Sequence, residues 1–286
     1  MAEAPHRDWQ DLTTEDFGTL DPERTVAIWP LGAVEQHGPH LPLSTDAVIA
    51  EGVAARALEL LPEEATLADE ASEAGGAGAA GDLRVLRLPL QAVGASSEHG
   101  AFPGTLSLAP ETLIVAWSEL GASLRRAGVR KLVMLNAHGG QPQVVDIVAQ
   151  RLRLEHAMLA VKVNTFRLGQ PSGLFEEDEL IHGVHGGALE TSLMLHLRPD
   201  LVCMDKASDF RPLSRDLEGE YRQLSSRGPA AFAWAVQDLN PAGVCGNAAA
   251  AEAGKGRLLL DHLARALAQI LLETARFPLE RLREQP

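Results

Sequence analysis

What most constrains the fold is a set of short runs that are apolar at nearly every position, each followed by a longer stretch with helical periodicity. Val26, Ala27, Ile28, Trp29 and Leu31 are apolar on both faces of a strand over 25–31, so that strand must be covered on both sides. Residues 131–135, Lys-Leu-Val-Met-Leu, form a second such strand, with others at 85–90 and 159–164. Between them, Val48, Ile49, Val53, Ala57, Leu58 and Leu61 make one stripe of a helix over about 46–61. Pro110 opens a second helix that ends near Gly128, and 142–156 is a third. An apolar helix stops before Pro199, and an amphipathic one covers about 254–275. Strands separated by helices predict an α/β fold with a mostly parallel sheet covered on both faces. The 286 residues suffice for one large domain or two small ones.

Three segments fall outside this alternation. Residues 68–82, rich in Ala, Gly and Glu, carry almost nothing that packs and read as a flexible surface loop. The run Glu176, Glu177, Asp178 and Glu179 reads as a solvated loop, because like charges repel. The region from about 205 to 246 is irregular.

Charge and cysteine usage exclude several classes. With 25 basic and 39 acidic residues the formal charge is −14, which argues against nucleic acid or an anionic membrane as a partner. Cys203 and Cys245 are too few for a disulfide framework, so a reducing, cytoplasmic compartment is expected. The N-terminal residues lack the apolar core of a signal peptide, and no apolar run reaches the ~18 residues of a membrane span.

The chemistry concentrates where the strands end. Glu35, His37, His40 and Asp46 follow the first strand within a dozen residues, and carboxylate with imidazole is a ligand set for zinc, manganese or iron(II). Glu35 and His37, two apart, point to the same side of an extended segment. Asp46 lies near a helix N-terminus, where a carboxylate is favoured. The bland alternative is a polar loop in which Asp46 caps a helix and the histidines are solvated. His138 follows directly on the strand 131–135, beside Gly139 and Gly140. Ligands of parallel α/β folds sit beyond the carboxyl ends of strands, and two independent strand ends here supply ligand-type residues. No Gly-x-Ser-x-Gly elbow is present and neither cysteine has a histidine near it in sequence, so nothing supports a covalent mechanism. His99 reads as either a loop residue or a substrate contact, and His40 as orienting a carboxylate. His182 reads as a surface-loop residue; His156, His196 and His262 read as packing or surface positions.

Four blocks carry a family resemblance: Pro-Leu-Gly-Ala-Val-Glu-Gln-His-Gly-Pro-His-Leu-Pro-Leu-Ser-Thr-Asp, Phe-Pro-Gly-Thr-Leu-Ser-Leu, Asn-Ala-His-Gly-Gly and His-Gly-Gly-Ala-Leu-Glu-Thr-Ser. In this order, over residues 26–202, they resemble the signatures of the creatininase family, and the tail after 205 adds little. The resemblance implies one three-layer α/β/α domain spanning 1–286, two divalent ions (Zn2+, Mn2+ or Fe2+) per subunit, and a hexamer. It places Glu35, Asp46 and His138 on one ion, with His37 and a bridging Asp46 on the other. It makes His185 the catalytic histidine. Creatinine amidohydrolase has a glutamate two residues after the third block's histidine, where this chain has Gly140; Glu190 is the candidate to fill that gap, as ligand or proton acceptor. The alternative for Glu190 is part of a polar cluster at a helix start.

The implied activity is hydrolysis of a C–N amide bond in a small cyclic amide, lactam or formamide-like substrate by a metal-bridging hydroxide. Bound metal lowers the pKa of water from 15.7 to about 7, and His185 would protonate the leaving nitrogen. A peptidase of the mycofactocin precursor type, a metal-dependent lyase or isomerase, and a ligand-binding relic are the other readings.

Overall fold

The computed structural model describes residues 6–70 and 83–283. Its centre is a five-stranded, wholly parallel sheet: β1 (His6–Asp8), β2 (Thr25–Leu31), β3 (Arg84–Arg87), β4 (Lys131–Asn136) and β5 (Leu159–Asn164), in the order β1-β3-β2-β4-β5. The helices are α1 (Thr45–Glu70), α2 (Pro110–Arg126), α3 (Pro142–His156), α4 (Glu177–His182), α5 (Ala188–Leu197), α6 (Ser214–Glu220), α7 (Val236–Leu239) and α8 (Ala253–Arg276).

Both faces of the sheet are covered, as the apolar strands require. Val26 and Ile28 of β2, with Val133 and Leu135 of β4, join the core under α1, α5 and α8. Ala27, Trp29 and Leu31, with Leu132 and Met134, face the other way into a core closed by α2 and α3. The strict alternation of these two lists is the period-two geometry of strands buried on both sides. Pro30 sits in the central strand without disrupting it. Its carbonyl accepts the N–H of Gln91, so its backbone faces the β3 side, and β3 has already ended at Arg87.

The order in which strands are added reverses beside β2: β3 lies on one flank and β4 on the other. The carboxyl ends of β2, β3 and β4 therefore open one crevice, where open α/β sheets bind ligands. None of the helices among the described residues is long and apolar enough to cross a membrane.

Several details depart from the sequence expectation. Strand β1 is too short and polar to show a pattern; it is held by pairing with β3 and by Arg87, which bonds Asp8 at 2.6 and 2.9 Å. Helix α1 does not stop at residue 61 but runs through Pro62 to Glu70. Its packing against α8 carries it past the proline: Ala65 is buried in the shared core, Arg56 bonds Asp261 at 2.8 Å, and Arg265 bonds Glu63 at 3.0 Å. Residues 68–70 of the expected flexible loop are thus helical, and the remainder of it, 71–82, lies outside the described residues.

Helix α8 reaches α5 through a glycine. A Cβ at Gly256 would collide with the carbonyl of Ser192, so only a missing side chain permits this backbone contact. Gly256→Ala is expected to force the helices apart and cost roughly 1–3 kcal/mol, an overpacking penalty. A denaturant titration should show a lower midpoint with unchanged slope.

Candidate metal centre

Local sequence brings four carboxylates and four imidazoles to the crevice. Beyond β2, the chain passes Gly32, where a Cβ would lie 2.6 Å from the Ala47 Cα. This close approach sets the first turn of α1, and with it Asp46, against the segment that carries Glu35 and His37. Beyond β4, Gln141 straps the strand ends together. Its amide donates to the Gly32 carbonyl at 3.2 Å and to Asn136 Oδ1 at 2.9 Å, and its oxygen accepts the Ala95 N–H. His138 is held between these ends.

Asp46 stands at the centre. One carboxylate oxygen lies 3.2 Å from His37 Nε2 and the other 3.1 Å from His138 Nδ1. Glu35 Oε1 lies 3.3 Å from His138 Nδ1, 3.3 Å from His99 Nε2 and 3.7 Å from His185 Nδ1. Glu190 Oε2 lies 3.9 Å from His37 Nε2. Glu35, His37, Asp46 and His138 are all at most 3 % exposed.

The tautomers follow from the partners on the far side of each ring. His37 Nδ1 donates to the Glu35 carbonyl, His138 Nε2 to the Ala95 carbonyl, and His185 Nε2 to the Gln36 carbonyl. Each of these rings therefore turns its bare nitrogen toward the carboxylates. His99 differs. The Gln36 amide, its orientation fixed by the Gly243 carbonyl and the Gly38 N–H, donates to His99 Nδ1 at 2.7 Å. That leaves a proton on Nε2 facing Glu35, so His99 steadies this carboxylate, a role that neither reading from sequence assigned to it.

Bare nitrogens facing carboxylate oxygens at just over 3 Å repel unless a cation lies between them. Without a metal the protein resolves this with protons. Burial opposes charging His37, but Asp46, Glu190 and Glu35 outweigh it and raise its pKa to about 9. Burial likewise opposes His138, and Glu35 and Asp46 raise it well above the ordinary value. Asp46 stays low despite its burial because His37 and His138 flank it. Glu35 Oε2, His37 Nε2 and Asp46 Oδ2 are buried with no hydrogen bond. These three atoms belong to a donor set whose converging groups among the described residues, Glu35/Asp46/His138, His37/His185/Glu190 and Glu35/His99/His185, fit divalent cations.

The sequence-derived candidates Glu35, His37, Asp46, His138, His185 and Glu190 thus lie together, and other expectations need correction. Glu190 Oε2 accepts the Gly186 N–H at 2.5 Å in the first turn of α5, so it serves the helix start while also facing His37. Burial pushes its pKa up to about 7 against the pull of His37. His40 orients no carboxylate; its Nε2 lies 2.9 Å from Thr191 Oγ1 and 3.1 Å from the Gly186 carbonyl, tying the first block to α5. His182 is buried against Ser214, not on a surface loop.

The acidic run is not wholly solvated either. Glu179 is buried and accepts the N–H groups of Ala188 and Asn247, holding the turn that carries His185. The tail after 205 also contributes, since Cys245 and His185 exchange backbone hydrogen bonds. Finally, Gly140 is not an empty gap. A Cβ there would collide with Glu98 Oε1, which lies 3.7 Å from His138 Nε2, so a carboxylate from another loop takes this space. The cavity over the centre, about 510 Å³, is bounded by Glu98, Phe166, Arg167, Arg227 and Trp234 as well as by the cluster.

Fold and cluster together define a class: a parallel α/β/α protein with a buried histidine–carboxylate centre beyond the carboxyl ends of its strands. Residues 10–271 match the family model described as creatinine amidohydrolase, and the chain belongs to the creatininase family. It is 30% identical over 253 residues to a mycofactocin precursor peptide peptidase of Mycobacterium ulcerans (strain Agy99), covering 87% of each protein. It is 27% identical over 264 residues to creatinine amidohydrolase of Pseudomonas putida, covering 87% of this chain and 89% of that one. A solved structure described as "Creatininase Mn" superposes with a TM-score of 0.69 at 23% identity, covering 93% of this chain and 97% of that chain. The chain is accordingly a hydrolase of the amidohydrolase type, acting on C–N bonds.

The protonated pairs give a pH dependence to the metal-free protein. A histidine whose folded pKa is raised stabilises fully below its unfolded value near 6.5 and loses that contribution as pH rises through its folded value. For His37 the window runs from about 6.5 to about 9, and His138 acts in the same direction. Chelator-stripped protein is expected to melt at lower temperature at pH 9 than at pH 7. An equal or higher melting temperature at pH 9 would contradict the pairing.

Proposed function

We propose that this chain hydrolyses an amide bond of a short peptide or peptide-derived substrate at a two-metal centre. Glu35, Asp46 and His138 would hold one divalent ion, and His37, Asp46 and Glu190 the other, with Asp46 shared. The carrying observation is that the two oxygens of Asp46 face His138 and His37 separately. Solved creatininases described in manganese and Zn-Zn forms support a pair of ions. When bound, two such ions supply Lewis-acid polarisation of the amide oxygen and an acidified water as nucleophile.

The protein's part is positioning and proton transfer. His185 begins neutral, because burial, reinforced by His37 and His99, pulls its pKa well down. Its Nε2–H is committed to the Gln36 carbonyl, leaving Nδ1 to accept a proton from the nucleophile and return it to the leaving nitrogen. A histidine that is neutral at rest must take the proton before it can give it, which extends the acid-only role expected from sequence. His99 and Gln36 keep Glu35 and His185 in place.

Peptide over cyclic amide is favoured by the peptidase names of relatives up to 33% identical and by Gly140. The cavity of about 510 Å³, lined by residues of several loops, gives a longer substrate room. The second reading, a small cyclic amide, draws on the Pseudomonas putida creatinine amidohydrolase. A screen of the metal-loaded enzyme on short peptides, creatinine, lactams and formamides, read by amine release, separates the two; creatinine turnover without peptide turnover would reverse the preference. A hexameric, cytoplasmic enzyme is part of the proposal, and light scattering on the purified protein tests the assembly.

Asp46→Ala is expected to empty both sites, Glu35→Ala chiefly one, and Glu190→Gln chiefly the other. Elemental analysis of the three purified proteins checks this, and full metal content in the Asp46 variant would end the assignment. His185→Ala is expected to keep metal and fold but lose about 10²–10⁴ of the turnover, the usual share of general acid–base catalysis. Loss of metal in that variant would make His185 a ligand.

A further inference from the structure

The floor of the cavity carries Glu35, Asp46, Glu98 and Glu190, yet its outer wall carries two permanent cations, Arg167 and Arg227. In so acidic a chain, formal charge −14, carboxylates are plentiful partners for arginine. Arg56, Arg87, Arg198, Arg211 and Arg265 each bond one. Arg167 and Arg227 form no ion pair with any described residue. Arg227 spends one nitrogen on the Ile181 carbonyl, at 3.1 Å, and keeps the rest of its fork free. Both guanidiniums are exposed to solvent at the cavity, and partial desolvation, with the like charge of Arg167 adding to it, lowers the pKa of Arg227.

Two guanidiniums without carboxylate partners that line one cavity favour an anion there. Guanidinium forks match carboxylates in shape as well as charge. Trp234, anchored through its indole N–H to the Ser226 carbonyl, and Phe166 stand on the same wall and offer apolar surface to the intervening chain of a ligand. The geometry points to a carboxylate subsite: Arg167 and Arg227 hold an anionic group of the substrate, away from the scissile amide, while the amide lies over the histidine–carboxylate cluster. This deepens the reading of the centre as an amide-hydrolysing site and rests on it. The carboxylate has two sources in a peptide, an acidic side chain or the C-terminus, and the same arginines suit either.

The test uses metal-loaded, full-length protein and acetylated pentapeptides in matched pairs. One pair differs by Asp against Asn, the other by a free C-terminus against its carboxamide. Turnover and calorimetric binding are both measured, for the native protein and for Arg167→Gln/Arg227→Gln. The acid member of at least one pair is expected to bind about tenfold or more tightly than its neutral partner, within the range of charge-assisted hydrogen bonds. That ratio should fall toward one in the double variant, and the pair showing it identifies the source. Arg227→Lys should keep an intermediate preference, because charge remains without the fork. Equal binding of acid and neutral members, no detectable binding of any acid peptide, or an undiminished preference in a folded double variant overturns the subsite. Acid-selective binding without cleavage would instead fault the hydrolytic reading and leave the subsite standing.

Discussion

The constraint on which this structure depends is the position of one buried carboxylate between two imidazoles. Asp46 is nearly inaccessible, and burying an unpaired charge costs several kcal/mol. It persists because His37 and His138 approach its two oxygens from different strand ends. For that to happen α1 must start against the end of β2, which Gly32 permits, and β4 must end beside it, which the Leu31–Asn136 pairing fixes. The strand order follows the same requirement. With β2 flanked by β3 and β4, the loops after all three reach a common crevice, and each brings a part: Glu35 and His37, then Glu98 and His99, then His138.

Much of this was legible in the sequence. Strands buried on both faces announce themselves by unbroken apolar runs, so β2 and β4 could be drawn nearly to the residue. The ligand-type residues were legible because they crowd the ends of those strands. What the sequence concealed was of a different physical kind. The acidic run at 176–179 looked solvated because its members repel one another, but the partners of Glu179 are backbone N–H groups at Ala188 and Asn247, which carry no sequence signature. Helix α1 outlasts Pro62 through tertiary contacts with α8, and no local propensity encodes those. Gly140 looked like a missing ligand because one cannot see from the chain that Glu98, forty-two positions earlier, lies over it.

Gln36 shows how little of a site's organisation resides in its reactive groups. Its side chain bonds His99, the Gly38 N–H and the Gly243 carbonyl, while its own carbonyl receives His185. A neutral amide thereby fixes the proton positions of two histidines. It also joins the first block to a turn that follows a region with no regular pattern.

The Glu179 contact ties the His185 turn to a helix that holds none of the candidate metal ligands. Its carboxylate lies against Gly183, Gly187 and Gly246, so a side chain on any of the three would displace it, and it clasps the turn bearing His185 from the side away from the cluster. That clasp is made by helix α4 and backbone alone, and it needs nothing bound at the centre. The turn bearing His185 is therefore held by protein groups that are not themselves candidate metal ligands.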